Sequence, residues 1–261
     1  MNAKSARISH DANLVARERL LSARGEPLFL ANWDRVLFIH FEVDTTSLQQ
    51  ETPFELDLFN GRAYVTLVAF TMRRMRVCFG GRLGAWLCRP FATQHFLNVR
   101  TYVRHHNEPG ILFLAEWLSN SLCVWLGPRT YGLPYRSARI AYNHRHEAGR
   151  LDGVIAVPGI DERFEYEGLI ETNGVFASCS NGSLDEFLLE RYTAFTFRKG
   201  TPRRFRIWHR PWLQTTANVA IKDSSVLVRT WSWFQRAQMI GANYSPGAEN
   251  VWMGWPRRIR F

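Results

Sequence analysis

The chain has 261 residues, 46% of them hydrophobic, and a formal net charge of +10. That length holds a sizeable core without disulfides or metal. Its four cysteines, Cys78, Cys88, Cys123 and Cys179, lack C-x-x-C spacing and read as free thiols of a cytoplasmic protein. No window approaches the roughly 20 apolar residues of a membrane span, and the N-terminus has no signal-peptide core. No helix-turn-helix, zinc-finger or RNA-recognition pattern accompanies the charge. Neither a membrane nor nucleic acid is therefore expected as a partner.

Of 33 basic residues only Lys4, Lys199 and Lys222 are lysines, leaving 30 arginines scattered along the chain. A G+C-rich genome explains such a bias, and so does a small anionic ligand.

In chain order, residues 1–27 are polar. Ala12–Ala23 reads as an amphipathic helix with Leu14, Val15, Leu20 and Leu21 nearly on one side. We assign 1–27 as a helical extension packing on the outside or on a partner subunit, which leaves a homo-oligomer open, and 28–261 as one β domain. Arg35–Val43 is a strand. Asn60-Gly61, between Glu55–Phe59 and Arg62–Arg74, signals a hairpin. Tyr64–Phe70 is apolar on both faces and reads as a central strand. Gly80–Pro90, carrying Trp86, reads as irregular chain over a cavity mouth.

Asn98–His105 alternates, with Val99, Thr101 and Val103 on one face and Asn98, Arg100, Tyr102 and Arg104 on the other. Asn107-Glu108-Pro109-Gly110 reads as a turn. Ile111–Leu118 is an apolar strand with one carboxylate, Glu116. Ser119–Leu126 makes a short helix closed by Gly127-Pro128. A bend at Gly132-Leu133-Pro134 then feeds a strand, Tyr135–His146, whose alternation puts Ile140, Tyr142 and His144 on one face with Arg136. Leu151–Val157 and Arg163–Ile170 form a hairpin, Ser183 caps a helix over Leu184–Glu190, and Tyr244-Ser245-Pro246-Gly247 reads as a turn. Roughly ten short strands punctuated by turn residues argue for an antiparallel β architecture.

Gly110, then Glu116-Trp117-Leu118-Ser119-Asn120, then Tyr131-Gly132-Leu133-Pro134 resemble the acetoacetate decarboxylase superfamily, in which a Gly-started strand, a short helix and an aromatic–Pro step lead to two adjacent lysines. Asn98–Val103, Ser183–Phe187, Glu190–Phe195 and Ala242–Gly247 look closer still to a YqjF-like bacterial family of that superfamily, whose function is uncharacterised. The resemblance spans roughly residues 30–258. It implies a mainly β (α+β) fold: an acetoacetate decarboxylase-like antiparallel β-barrel or double sheet around an interior cavity, with a few short helices.

The resemblance also places Tyr135 and Arg136 where the lysine pair would stand, and Phe96 where that family has a glutamate. Tyrosine cannot form an iminium, and arginine stays protonated. The Schiff-base mechanism is therefore not expected. The polar groups that could line the cavity are Glu116, Arg136, Arg100, Tyr135, Tyr142 and His144. An arginine in an apolar pocket suits the carboxylate of a small organic or keto acid. Alternatively Arg100, Arg136 and Glu116 pair with one another, since a buried charge must be paired. No G-x-S-x-G, Gly-rich phosphate loop or H-E-x-x-H is present, so no metal and no cofactor are expected. The readings are a binding protein for a small organic acid, a lysine-free enzyme acting on a keto acid, and a scaffold whose cavity is filled.

Overall fold

Strands apolar on both faces belong inside a layered structure. In the computed structural model, which describes residues 3–172 and 174–261, Tyr64–Phe70 and Val36–Phe41 are buried residue after residue. They lie in β1 (Phe29–Val43) and β3 (Ala63–Val77), and a two-residue strand, β2 (Glu55–Leu56), lies between them in sequence. The chain continues through β4 (Gln94–His105), β5 (Glu108–Leu118), β6 (Tyr135–Ser137), β7 (Arg139–Arg145), β8 (Arg150–Ala156) and β9 (Arg163–Leu169). It ends with β10 (Thr193–Arg198), β11 (Thr201–Trp208), β12 (Thr215–Thr216), β13 (Asn218–Asp223), β14 (Gln238–Met253) and β15 (Arg257–Arg258). Short helices are interspersed: α1 (Ala3–Leu21), α2 (Thr45–Gln49), α3 (Gly81–Leu87), α4 (Ser121–Thr130), α5 (Leu184–Leu189) and α6 (Ser225–Thr230).

The main sheet runs β14-β1-β3-β4-β5-β10-β11, and β11 pairs back onto β14 through Ile207↔Met253 and Trp208↔Trp252. The sheet thus closes into a barrel. Neighbours are antiparallel except where β5 meets β10 and β6. A second sheet, β13-β9-β8-β7, covers one outer face. Alternation along the strands builds two cores. Leu37, Leu67, Val99, Trp117 and Phe164 pack between the sheets, and Phe38, Val68, Phe96, Ile111 and Leu118 pack inside the barrel.

Several expected turns sit elsewhere, each for a local reason. Phe59 and Arg62 do exchange backbone hydrogen bonds around Asn60-Gly61, but the arms part: β2 pairs with β4, not β3. The β4–β5 turn is His106-Asn107, with His105 opposite Glu108, so Pro109 and Gly110 are strand residues. Gly110 serves close approach instead, because a Cβ there would stand 2.6 Å from the Thr193 carbonyl oxygen of β10. Tyr244–Gly247 is no turn either. β14 runs through it against β1, and Gly247 (φ 132°) meets the Trp33 carbonyl where a Cβ would stand at 2.1 Å. Helix α4 continues through Pro128, which falls in its last turn and forfeits one backbone bond.

Helix α1 lies on β11, but not through its apolar stripe. Leu20 is buried, whereas Leu14, Val15 and Leu21 are exposed. Asn13 makes the specific contacts, donating to the His209 carbonyl at 2.7 Å and accepting from Trp208 Nε1. Arg17 stacks over Trp208 and Trp252.

Candidate functional site

The barrel interior keeps a cavity of about 150 Å³, walled largely by apolar side chains such as Phe29, Phe70, Met72, Phe113 and Phe205. A recess of about 20 Å³ adjoins it, sharing Trp33, Phe70, Asn98, Phe113 and Ile207 as walls and adding Arg100 and Arg191. Among the described residues five buried side-chain atoms have no hydrogen-bond partner: Trp33 Nε1, Gln94 Oε1, Asn98 Oδ1, Arg100 Nε and Glu116 Oε1. All five residues line the cavity or its recess. Buried polar atoms are nearly always satisfied in folded proteins, so this convergence marks the site.

A register fault aims Glu116 inward. Asn98 pairs with Glu116 and Val99 with Ala115, but Arg100 pairs with Phe113, which makes Leu114 an extra residue in β5. Leu114 and Ala115 consequently both face the inter-sheet core, and Glu116 turns into the barrel between Phe113 and Leu118. Across the wall Val68, Asn98, Glu116 and Tyr135 are successive register partners. Burial alone holds the Glu116 carboxyl well above the usual carboxylate range. Burial thus favours its neutral form, which can donate one hydrogen bond and accept others. Burial, with Glu116 as a lesser cause, likewise raises Tyr135 well above the ordinary phenol.

Arg100, buried inside the barrel, donates from Nη2 to the Leu188 carbonyl at 2.9 Å and stacks on Phe38, while its Nε is left without a partner on a side chain that lines the recess. Gln94 donates to the Phe91 carbonyl and to Cys123 Sγ, so its carbonyl oxygen is the free end.

Three expected site residues lie outside this cavity. Tyr135–His146 is not one strand: it splits at Ala138 into β6 of the barrel and β7 of the second sheet. Arg136 pairs with Trp117, not Glu116. It therefore points out of the barrel, stacks on Trp117 and Trp231, and is exposed. Tyr142 donates to the Phe96 carbonyl at 2.8 Å. His144 bonds the Arg35 carbonyl through Nδ1 and Tyr166 through Nε2. Since a carbonyl only accepts, Nδ1 carries the proton and Nε2 receives the tyrosine O–H. Both side chains are committed between the sheets. The expected mutual pairing of Arg100, Arg136 and Glu116 does not occur.

Glu190-Arg191-Tyr192 spends its polar groups internally. Arg191 pairs with Asp57 at 2.8 Å, both buried, and stacks on Phe187 and Tyr102. Glu190 accepts from the Trp212 amide and from Tyr192.

The family model DUF2071, described as an uncharacterized conserved protein, matches residues 30–247. This chain belongs to that family. The uncharacterized protein YqjF of Bacillus subtilis (strain 168) is 30% identical over 197 residues, 74% of this chain and 78% of that protein. Among solved structures, the enduracididine biosynthesis enzyme MppR with HEPES bound superposes with a TM-score of 0.62 at 14% identity, covering 89% of this chain and 88% of that one. Acetoacetate decarboxylase from Legionella pneumophila gives 0.62 at 11% identity, covering 88% and 87%. MppR complexed with pyruvate gives 0.60 at 16% identity, covering 91% and 92%. The DUF2071 chain is therefore mainly β with an acetoacetate decarboxylase-like fold.

Proposed function

We propose that this DUF2071 protein binds a small organic acid, with a keto acid as the leading class, inside the barrel. The carrying observation is the convergence of five unpartnered polar atoms on one apolar cavity and its recess. Trp33 Nε1–H and Arg100 Nε–H are donors suited to a carboxylate. Neutral Glu116 can donate to a carbonyl oxygen, and the aromatic wall takes the ligand body. That MppR has been captured with pyruvate, a keto acid, in a similar fold supports the class. Lys199 and Lys222 are exposed and no lysine is among the cavity residues, which favours binding without a Schiff base.

The test is thermal-shift and calorimetric titration with a panel of keto acids and their hydroxy and amino analogues. A bound acid at about 100 times its Kd should stabilise the fold by about 2.7 kcal/mol. Trp33→Phe, which removes one donor and keeps an aromatic ring, should weaken that acid on the order of tenfold. A panel without a hit, or a hit indifferent to Trp33→Phe and Asn98→Leu, would refute the reading.

A further inference from the structure

Beside the cavity, the fold assembles a surface that no local stretch of sequence announces. Phe91, which follows α3, and Leu126 of α4 both wall the cavity. The two segments are tied together where Asn120, the cap of α4, donates to the Pro90 carbonyl at 2.7 Å. Their outward sides are apolar: Phe79, Leu83, Trp86 and Leu87 around α3, and Leu122 and Trp125 on α4, are all exposed, Leu83 at 66% and Trp86 at 63%. Such clusters mark interaction sites rather than ordinary surface.

Charge selects the partner. Residues 58–146 carry twelve arginines and only two acidic residues, Glu108 and Glu116. Glu108 is engaged by Arg204 and Arg206, and Glu116 is buried inside the barrel. Arg82, Arg89 and Arg129, on the same two segments, are exposed and form no salt bridge among the described residues. Arg129 stacks on Trp125 at 4.5 Å. Two copies meeting symmetrically on this face would bring arginine against arginine. A surface both apolar and anionic fits instead.

From this juxtaposition we propose that α3 and α4 form a peripheral docking face for an anionic phospholipid surface. Trp86, Trp125 and the leucines enter the headgroup region while Arg82, Arg89 and Arg129 meet lipid phosphates. Among the described residues no helix is long and apolar enough to cross a membrane, so the contact is one of surface, not span. Linear hydropathy points to no membrane partner because the two apolar helix faces are separated in the chain by the whole of β4 and β5 and come together only in the fold. The cavity beside this face would then open close to the lipid boundary.

The full-length protein is sedimented with vesicles of phosphatidylcholine alone and of phosphatidylcholine mixed with phosphatidylglycerol. Binding should require phosphatidylglycerol and weaken as salt is raised. It should fall on the order of tenfold in Leu83→Ser/Trp86→Ser, and fall again in Arg82→Gln/Arg89→Gln, whose fold depends on neither side chain. Absence of binding to the anionic vesicles, or equal binding by parent and variants, would overturn the proposal. So would a dimer, seen by light scattering, that Leu83→Ser/Trp86→Ser converts to monomer, since the face would then belong to a second copy.

Discussion

Glu116 and Tyr135 are register partners in the short parallel pairing of β5 and β6, and both face the barrel cavity. Arg136, one residue on, partners Trp117 on the opposite face. One step along a strand thus separates the only carboxylate of the cavity from the arginine that precedes the second sheet.

The separation has a measurable consequence. Arg136→Leu and Glu116→Gln should be additive within about 0.5 kcal/mol in a double-mutant cycle of unfolding free energies, as for groups without a shared partner. A coupling above about 1 kcal/mol would place the two side chains in contact and contradict the register.

Glu116 should also leave a signature in the pH dependence of stability. Its folded pKa is raised by burial from the ordinary 4.5. The unfolded chain therefore releases a proton above about pH 4.5 that the fold retains. Stability from this group is intact on the acid side and is lost as pH rises toward the folded pKa, at about 1.4 kcal/mol per pH unit. Glu116→Gln, a neutral side chain of the same shape, removes that slope. Denaturant titrations should show the variant near the parent at about pH 4 and increasingly more stable than it toward pH 7. A difference independent of pH would mean that Glu116 is ionised in the fold.

Three buried histidines act in the opposite sense. Burial lowers His40 to about 3 and His144 and His209 to about 4, from an ordinary 6.5. Below pH 6.5 the unfolded chain takes up protons that the fold refuses, so this stability is present above 6.5 and lost as pH falls toward 4. Up to three protons give a slope of up to about 4 kcal/mol per pH unit, partly offset by Glu116. Replacing one of them, as in His40→Gln, should lower stability at pH 7 yet flatten the acid slope by about one proton. An unchanged slope would show that the residue is charged in the native state.

Asp57→Asn should cost about 3–5 kcal/mol, because it leaves Arg191 buried without its counter-charge. Asp57 also pairs with Arg104 at 2.6 Å, but that arginine reaches solvent and can be hydrated. Arg104→Gln should therefore cost less than about 1 kcal/mol. Equal losses in chemical denaturation would refute this division between the two arginines.

The sequence showed much of the frame and part of the site. The alternation of Asn98–Tyr102 correctly separates Asn98 and Arg100 from Val99 and Thr101, because a period of two needs only local information. The apolar run at Tyr64–Phe70 is central, as its doubly apolar pattern implies. The Ser183 cap of α5 forms, although Glu186 reaches the Gly182 amide instead of the cap's own. Trp33 and Gln94 gave no signal, since each becomes a cavity residue only when β14, β1 and β11 close the barrel. The break at Ala138 was equally hidden: Tyr135–Ser137 and Arg139–Arg145 are each good strands, and their division between two sheets is a property of the whole fold.

The extra residue at Leu114 sets the phase of the cavity wall. Strand chemistry repeats every two residues, so an extra residue paired one-for-one would invert inside and outside for everything downstream, and the bulge prevents that. Deleting Leu114 would restore unbroken alternation and leave Glu116 facing the cavity and Trp117 away from it, because Ala115 already pairs with Val99 and Glu116 with Asn98. In this barrel a length change of one at the bulge therefore leaves the acid-bearing wall facing the chamber. A wall built this way tolerates a residue gained or lost at that point without exchanging its inside for its outside.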